Sequence, residues 1–242
     1  MLTNIEFKDF MQKHRAEILK NDWAAIYDDL PSYKDVSNLT DFLLNKAHIN
    51  PLFHMIEVPE GFARELNITA VTIPNNITSI NDFAFEDCTS LTSVAIPRGV
   101  RSIGYRAFYN CSSLTSITIP NSATRIGSAI FYGCSSLTSI TIPSSVRSIG
   151  GYAFYSCTGL TSITIPSSVT EIGYSAFAGC TNLTSVTIPS SVRSIEDYAF
   201  QNCSALKKID YTGNQQQWDK LLAASRDFAK WIHENKVKVI FI

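Results

Sequence analysis

The sequence predicts an α/β repeat protein, a solenoid of 23-residue coils whose strands stack into a parallel ladder. The first observation is self-similarity, because six units of 23 residues follow one another without insertion over residues 68–205. The second is the pattern within a unit, where a short alternating segment is followed by proline and further apolar positions. Both ends depart from this pattern, and they predict a small helical N-terminal cap and a helix-plus-strand C-terminal cap.

Four parts follow along the chain. Residues 1–52 predict a helical cap or small domain, since apolar residues such as Phe7, Phe10 and Ile18 share a helical face. Residues 53–67 are a degenerate coil that leads into the array. The six repeats occupy 68–205, and residues 206–242 hold a terminal half-repeat and the C-terminal cap.

Each element of a coil has its own signal, shown best by the fourth unit, LTSITIPSSVRSIGGYAFYSCTG. Residues 139–142 alternate polar and apolar, which predicts a half-buried strand. Pro143 ends strand pairing because it has no N–H. Val146 and Ile149 predict a second short extended or bent segment facing the core. Gly150 predicts a tight corner, and residues 152–157 predict one short helical turn.

Stacked coils bring equivalent side chains together along the axis of the solenoid. Parallel strands lie about 4.8 Å apart, so every apolar position becomes a ladder. We expect an aromatic ladder of Phe85, Phe108, Phe131, Phe154, Phe177 and Phe200, and an aliphatic ladder of Ile80, Ile103, Ile126, Ile149, Ile172 and Ile195. These two ladders should dominate the stability of the fold.

The C-terminal segment predicts a cap with two kinds of structure. Its large apolar residues predict an amphipathic helix or helix pair: Trp218, Leu221, Leu222, Phe228, Trp231 and Ile232. Residues 237–242 predict a final strand. That strand is too apolar to remain unpaired, so we expect it to pair with the strand at 206–211.

The repeat motif, L-x-x-I-x-I-P-x-x-V-x-x-I-G-x-x-A-F-x-x-C, resembles the BspA-type leucine-rich repeat. Tyr211-Thr-Gly213 followed by Gln217-Trp218 is also similar to the usual end of such arrays. The resemblance implies a leucine-rich-repeat solenoid that acts as an interaction scaffold. It also implies, as an alternative, a bacterial surface role, since well-known members of that family are adhesins.

The six cysteines lie one period apart, at Cys88, Cys111, Cys134, Cys157, Cys180 and Cys203. Equivalent side chains on stacked coils point the same way and lie at least one strand spacing, about 4.8 Å, apart. A disulfide needs Cβ atoms about 3.5–4.5 Å apart, so this arrangement does not suit one. Cys-x-x-Cys-like spacing and nearby histidines are absent from the repeats, which argues against a metal site. We therefore expect a ladder of buried free thiols, which a reducing compartment maintains most easily.

Composition and charge argue against several functional classes. The net charge is −1, and no apolar run is long enough to span a membrane, so we expect neither nucleic-acid binding nor a membrane span. The array contains no Lys or His that could activate its many serines. We expect no catalytic residues, no cofactor and no bound metal.

Three rows of surface residues remain as binding candidates. The first row consists of hydroxyl side chains on the exposed face of the strands: Ser116, Thr118, Ser139, Thr141, Ser162 and Thr164. The second is aromatic and occupies one position of consecutive units: Tyr109, Tyr132 and Tyr155. Both rows have a purely structural alternative, as soluble strand surface or as packing over the phenylalanine ladder. The third row, Arg101, Arg147 and Arg193, is spaced two coils apart, which charge repulsion alone explains.

The leading functional hypothesis is a non-catalytic scaffold that binds an unknown protein or glycan. The alternatives, in decreasing order, are a secreted or surface adhesin, a binder of regular lattices such as ice, and an enzyme. The first twenty residues contain acids and no continuous apolar stretch, which is not the pattern of a secretory signal. We therefore expect this form to be cytoplasmic, with the cell surface or secretion as the alternative. The sequence leaves the oligomeric state open.

Overall fold

The computed structural model describes residues 69–73, 75 and 78–242. The predicted N-terminal cap at 1–52 and the degenerate coil at 53–67 lie outside these residues. Two parallel strand ladders run along the solenoid. The first ladder is divided between two sheets, one of β1 (Ala70–Thr72), β3 (Ser93–Ala95) and β5 (Ser116–Ile117), and one of β7 (Ser162–Thr164), β9 (Ser185–Pro189), β11 (Lys208–Thr212) and β12 (Lys238–Phe241). The second is likewise divided between β2 (Ser79–Ile80) with β4 (Ser102–Ile103), and β6 (Ser148–Ile149) with β8 (Glu171–Ile172) and β10 (Ser194–Ile195).

The register of both ladders is one repeat. Ser93 lies opposite Ser116, and Ser148 lies opposite Glu171, each 23 residues further along the chain. The fourth coil joins the first ladder through a single bridge between Thr118 and Thr141. The predicted strand at 139–142 is therefore short, although its residues alternate between exposed and buried as expected. Val146 and Ile149 of the predicted second segment are both buried, and Ile149 lies in β6 of the second ladder.

The third side of each coil differs from its prediction. Residues 152–157 were expected to form a short helical turn, and that expectation is wrong, because the backbone is left-handed at Tyr152 (φ 58°) and at Ser156 (φ 56°). A right-handed helix needs negative φ at every residue. The chain instead makes successive tight turns, in which backbone N–H groups alternate between the same coil and the next. The Tyr155 N–H donates to Tyr152 O of its own turn, whereas the Tyr152 N–H donates to Tyr174 O of the next coil.

The core consists of the predicted side-chain ladders. Successive phenylalanine rings of the aromatic ladder lie 5.2–5.8 Å apart between centroids, and their planes are within 19° of parallel. All six of these rings and all six isoleucines of the aliphatic ladder are buried. Burying one large apolar side chain stabilises a fold by about 1.5–3 kcal/mol, so these ladders are the principal stabilising feature.

Gly150 lies where two coils approach each other closely. A Cβ atom added there would lie 2.7 Å from the carbonyl carbon of Gly127 and 2.7 Å from the amide nitrogen of Ser128. Gly173, one coil later, would bring its Cβ to 2.6 Å from the Gly151 nitrogen. The conserved spacing of these glycines along the array therefore reflects contact between backbones, because φ is not in the left-handed region at either residue.

The C-terminal segment closes the solenoid with α1 (Gln215–Ala224), α2 (Arg226–Glu234) and β12. The predicted helix pair is confirmed, as is the final strand, since β12 pairs in parallel with β11. Asn214 caps α1 by accepting a hydrogen bond from the Gln217 N–H at 3.0 Å, and the Gln217 side chain accepts from the Asn214 N–H at 3.0 Å. This reciprocal arrangement satisfies two backbone donors at the start of the helix.

Candidate binding surfaces

The first ladder presents an open face of hydroxyl side chains. Residues alternate along each strand, so every second side chain points away from the core. The six predicted strand-face residues are all exposed: Ser116, Thr118, Ser139, Thr141, Ser162 and Thr164. We call these six residues the hydroxyl face. Thr118 lies opposite Thr141 in a parallel bridge, and Ser162 and Thr164 lie opposite Ser185 and Thr187 of the next strand.

The hydroxyl face ends at an ion pair near the C-terminal cap. On β11, Lys208 lies in register with Ser185, and Asp210 lies in register with Thr187. The Lys208 ammonium contacts the Asp210 carboxylate at 3.0 Å. Charged side chains therefore replace hydroxyl groups in the last strand pair, and the uncharged part of the surface covers the middle coils.

Tyr109, Tyr132 and Tyr155, which we call the tyrosine ladder, are half-buried. Their rings stack on one another, with centroids 4.5 Å and 4.6 Å apart and planes within 17° of parallel. Desolvation, together with the neighbouring phenols of Tyr109 and Tyr155, raises the pKa of Tyr132. These rings direct their faces at one another and leave mainly their edges available to a partner.

Arg106 covers the N-terminal end of the tyrosine ladder. Its guanidinium carbon lies 3.8 Å from the centroid of the Tyr109 ring, and it forms a salt bridge of 3.0 Å with Glu86. A guanidinium over an aromatic face is a favourable cation–π contact. Tyr109 is therefore the least available of the three predicted tyrosines.

A second set of tyrosines is more exposed than the predicted ladder. Tyr105, Tyr152, Tyr174 and Tyr198 expose 38–45% of their surface and, apart from the C-terminal Phe241 and Ile242, are the most exposed large apolar residues of the described chain. The sequence places them near the ladder but at alternating positions of the repeat, so simple periodicity does not connect them. They come together because the backbone turns sharply at this edge.

The arginine row lies on the outside of the second ladder. Arg101, Arg147 and Arg193 are exposed, and each donates its backbone N–H to a threonine carbonyl of the preceding coil. No ion pair involves them among the described residues. Their spacing of two coils remains consistent with simple avoidance of like-charge contact.

The cysteine ladder is buried and free of disulfides, as predicted. The structure adds a contact that the sequence did not indicate, because each thiol from the second coil onward donates to a phenylalanine carbonyl of the preceding coil. Cys157 Sγ, for example, lies 3.0 Å from Phe131 O. Within the described residues, no group of three His, Cys, Asp or Glu side chains is placed to hold a metal ion.

The comparisons with known proteins agree with this architecture. A family model described as the BspA type leucine-rich repeat region matches residues 58–157 and 124–240, in six copies. The chain belongs to the BspA-type leucine-rich repeat family. A sequence search of curated proteins gives no significant match.

Solved structures of bacterial leucine-rich repeat proteins are similar to this BspA-type chain. The leucine-rich repeat protein of T. pallidum is 30% identical with a TM-score of 0.57, and the match covers 72% of this chain and 86% of that one. A leucine-rich repeat protein from Eubacterium ventriosum is 28% identical with a TM-score of 0.52, over 60% of this chain and 42% of that one. One from Bacteroides ovatus is 31% identical with a TM-score of 0.47, over 61% and 49%. The chain thus spans about half or less of the last two proteins.

The BspA-type repeats of this chain form a scaffold with two regular surfaces. One is the hydroxyl face, and the other, which we call the turn edge, is the third side of each coil, where the tyrosines lie. Repeat arrays use such extended surfaces for binding. None of the helices in the described part of the chain is long and apolar enough to cross a bilayer.

Proposed function

We propose that the protein is a non-catalytic scaffold that binds a protein partner across the hydroxyl face, with the tyrosine ladder contributing at the adjacent edge. The observation that supports this proposal is the row of six exposed hydroxyl side chains at equivalent positions of three consecutive coils, in which Thr118 and Thr141 pair across a parallel bridge. A regular, uncharged and preorganised surface loses little conformational entropy when a partner binds. A glycan is the other ligand class that such a hydroxyl surface suits.

Substitutions on the hydroxyl face test this assignment directly. Ser139→Arg with Ser162→Arg should abolish capture of the partner, because two bulky charges would stand between the strand face and the bound molecule. Ser144→Arg with Ser167→Arg is the matched control, since both serines are exposed, one coil apart and outside the strands. The measurement is quantitative mass spectrometry of proteins captured from the host by each variant, with a glycan array in parallel. A partner retained equally by both variants would contradict the hydroxyl face as the binding surface.

The tyrosine ladder should contribute more to binding than the arginine row. Tyrosine offers contact area together with a hydroxyl group, and one well-placed interface tyrosine contributes about 2 kcal/mol or more. The comparison uses a triple leucine variant of Tyr109, Tyr132 and Tyr155 and a triple alanine variant of Arg101, Arg147 and Arg193. Each is checked for folding by thermal melting, and its affinity for the identified partner is then measured. Loss of binding in the arginine variant alone would reverse this ranking.

The cysteine ladder supports a reducing compartment, and we propose that this form is cytoplasmic. A secreted or surface-displayed adhesin is the alternative that the family resemblance favours. Fractionation of the host with an antibody against the array distinguishes the two, because an adhesin would be found outside the cell or susceptible to added protease on intact cells.

A further inference from the structure

The turn edge carries two aromatic groups at opposite ends of the tyrosine ladder, and one of them already holds a cation. Phe83, Tyr105 and Tyr109 surround Arg106, whose guanidinium carbon lies 5.8 Å, 6.0 Å and 3.8 Å from their ring centroids. Glu86 contacts the same guanidinium at 3.0 Å. The chain thus shows, in its own second coil, the kind of ligand that this edge accommodates.

The other group has the same kind of rings without a cation. Tyr152, Tyr155, Tyr174 and Tyr198, which we call the open tyrosine patch, are linked by centroid distances of 5.8 Å, 5.3 Å and 5.5 Å. In the third coil the corresponding positions are Ser128 and Ala129, so the two groups are connected through the stacked Tyr132 ring of the tyrosine ladder. Among the described residues, Arg106 is the only cation that lies over an aromatic ring.

In each group a tyrosine N–H donates to a carboxylate, which belongs to the preceding coil in the first group and to the following coil in the open tyrosine patch. In the first group, the Tyr105 N–H donates to Asp82 Oδ1 at 2.6 Å; in the open tyrosine patch, the Tyr174 N–H donates to Glu196 Oε2 at 2.8 Å. Asp197, next to Tyr198, is also exposed. Neither Glu196 nor Asp197 forms an ion pair within the described part of the chain. The open tyrosine patch therefore combines three exposed rings, Tyr152, Tyr174 and Tyr198, with two carboxylates that form no ion pair among the described residues.

We propose that the open tyrosine patch binds an arginine side chain of a basic partner protein, an inference that rests on the proposed role as a protein-binding scaffold. Guanidinium is planar and weakly hydrated, and it stacks on aromatic faces while it pairs with carboxylates. The rings are inclined to one another by 55–83°, which offers a corner to a small cation and no flat platform to a sugar ring. Arg106 makes the equivalent contact within the molecule.

A short arginine peptide tests the open tyrosine patch in the full chain. The probe is acetyl-Gly-Arg-Ser-Arg-Gly-amide, followed by NMR of protein labelled with ¹³C at tyrosine. We expect saturable shifts at the tyrosines of the patch, and binding about fivefold weaker in Tyr174→Leu, as one partly exposed cation–π contact implies. Tyr105→Leu is the matched control, since Tyr105 has the corresponding place in the group that Arg106 fills, and it should bind the peptide like the wild type.

Two further measurements test whether the positive charge of the peptide is required, and whether the group that holds Arg106 is equivalent to the open tyrosine patch. The same peptide with glutamine in place of arginine should not bind, and equal binding would overturn the proposal. Arg106→Gln removes the cation from the first group, so the stoichiometry should rise from one peptide to two; a stoichiometry of one would contradict the proposal, because it treats the two groups as equivalent arginine sites. If the arginine peptide fails to bind while the hydroxyl-face variants still lose their partner, this inference is wrong and the scaffold function stands.

Discussion

Each coil places two residues in the left-handed backbone region, and the two positions differ in how well their residues tolerate it. One position holds Asp87, Asn110, Gly133, Ser156, Gly179 and Asn202, most of which adopt positive φ readily. The other holds Phe83, Arg106, Ala129, Tyr152, Ser175 and Tyr198, for most of which positive φ costs about 1–2 kcal/mol. Hydrogen bonds to the next coil maintain this strained position, as when the Ala129 N–H donates to Gly151 O at 2.9 Å.

Glycine at the strained position should relieve part of this cost. We expect Ala129→Gly to be less destabilising than Ala153→Gly by at least about 1 kcal/mol, because both changes remove one buried methyl group but only Ala129 has positive φ. Urea denaturation of the two variants measures the difference. Equal losses of stability would show that the left-handed backbone at this position carries no strain.

Buried thiols give the protein a defined response to alkaline pH. Burial raises the pKa of Cys203 to about 12, and burial raises the pKa of Cys111, Cys134, Cys157 and Cys180 as well. In the unfolded chain a thiol ionises near pH 8.5. The unfolded state therefore loses protons that the folded state keeps, and stability is retained below about pH 8.5 and falls as the pH rises toward 12.

Each ionised thiol should lower the free energy of unfolding by about 1.4 kcal/mol per pH unit above that point. Urea denaturation in the presence of reductant at pH 7.5 and 9.5 measures this loss, and the stability of Cys157→Ala should depend less steeply on pH than that of the wild type.

In a thiol titration, we also expect six reactive groups after denaturation and few before it. Fewer than six in denaturant without reductant would indicate disulfides and contradict the free ladder.

At the scale of elements, the C-terminal cap takes over the contacts that a seventh coil would make. Ser225 Oγ accepts from the Ile195 N–H at 2.8 Å, and Asp227 Oδ2 accepts from the Tyr198 N–H at 2.8 Å. In the inner coils the N–H group equivalent to that of Tyr198 donates instead to a backbone carbonyl of the next coil, as the Tyr152 N–H donates to Tyr174 O. Phe228 and Trp231 continue the aromatic ladder beyond Phe200, at 5.5 Å and 5.9 Å between centroids. The cap thus supplies the last coil with both hydrogen-bond acceptors and apolar packing.

Removing the Ser225 hydroxyl should expose how much this cap contributes. Ser225 is buried, so Ser225→Ala leaves the Ile195 N–H without an acceptor and should lower stability by about 1–3 kcal/mol. Ser204→Ala is the control, because that serine is exposed and its hydroxyl contact of 3.4 Å is long. Thermal melting of both variants provides the comparison; equal melting temperatures would mean that water replaces the hydroxyl at no cost.

At the scale of the whole molecule, stability is a sum over coils that contact only their neighbours. Such an array has two ends at which apolar ladders and strand edges stop. The C-terminal end is covered by α1, α2 and β12, and β12 itself begins at Lys238, a charged residue that discourages further strand pairing. The integrity of the array therefore depends on its terminal segment.

Deleting residues 206–242 should cause aggregation or loss of cooperative unfolding. The deletion exposes Phe200 and the edge of β9, which are buried or paired in the full chain. Analytical ultracentrifugation and a denaturation curve measure the outcome against the full chain. A soluble, monomeric truncation with a cooperative transition would show that the C-terminal segment is dispensable for folding and has a separate role.

The amino-acid sequence is sufficient to predict the repeat length, the two inward-facing segments of each coil, the phenylalanine, isoleucine and cysteine ladders, and the pairing of the last strand. These follow from periodicity, because a residue type that recurs at a fixed interval must recur on the same side of a regular solenoid. The hydroxyl face was predictable for the same reason, since alternation along a strand decides which side chains are exposed.

The conformation of the third side of each coil and the surroundings of the tyrosines depend on how neighbouring coils pack, and the sequence does not predict them. The sequence predicts a helical turn at 152–157, yet the backbone is left-handed at Tyr152 and Ser156, whose N–H groups donate to carbonyls of the next coil. Tyr152 and Tyr174 occupy different positions of the repeat and meet because the turn bends between them. Periodicity relates equivalent positions alone, whereas contacts between non-equivalent positions depend on the path of the backbone, which the packing of neighbouring coils determines.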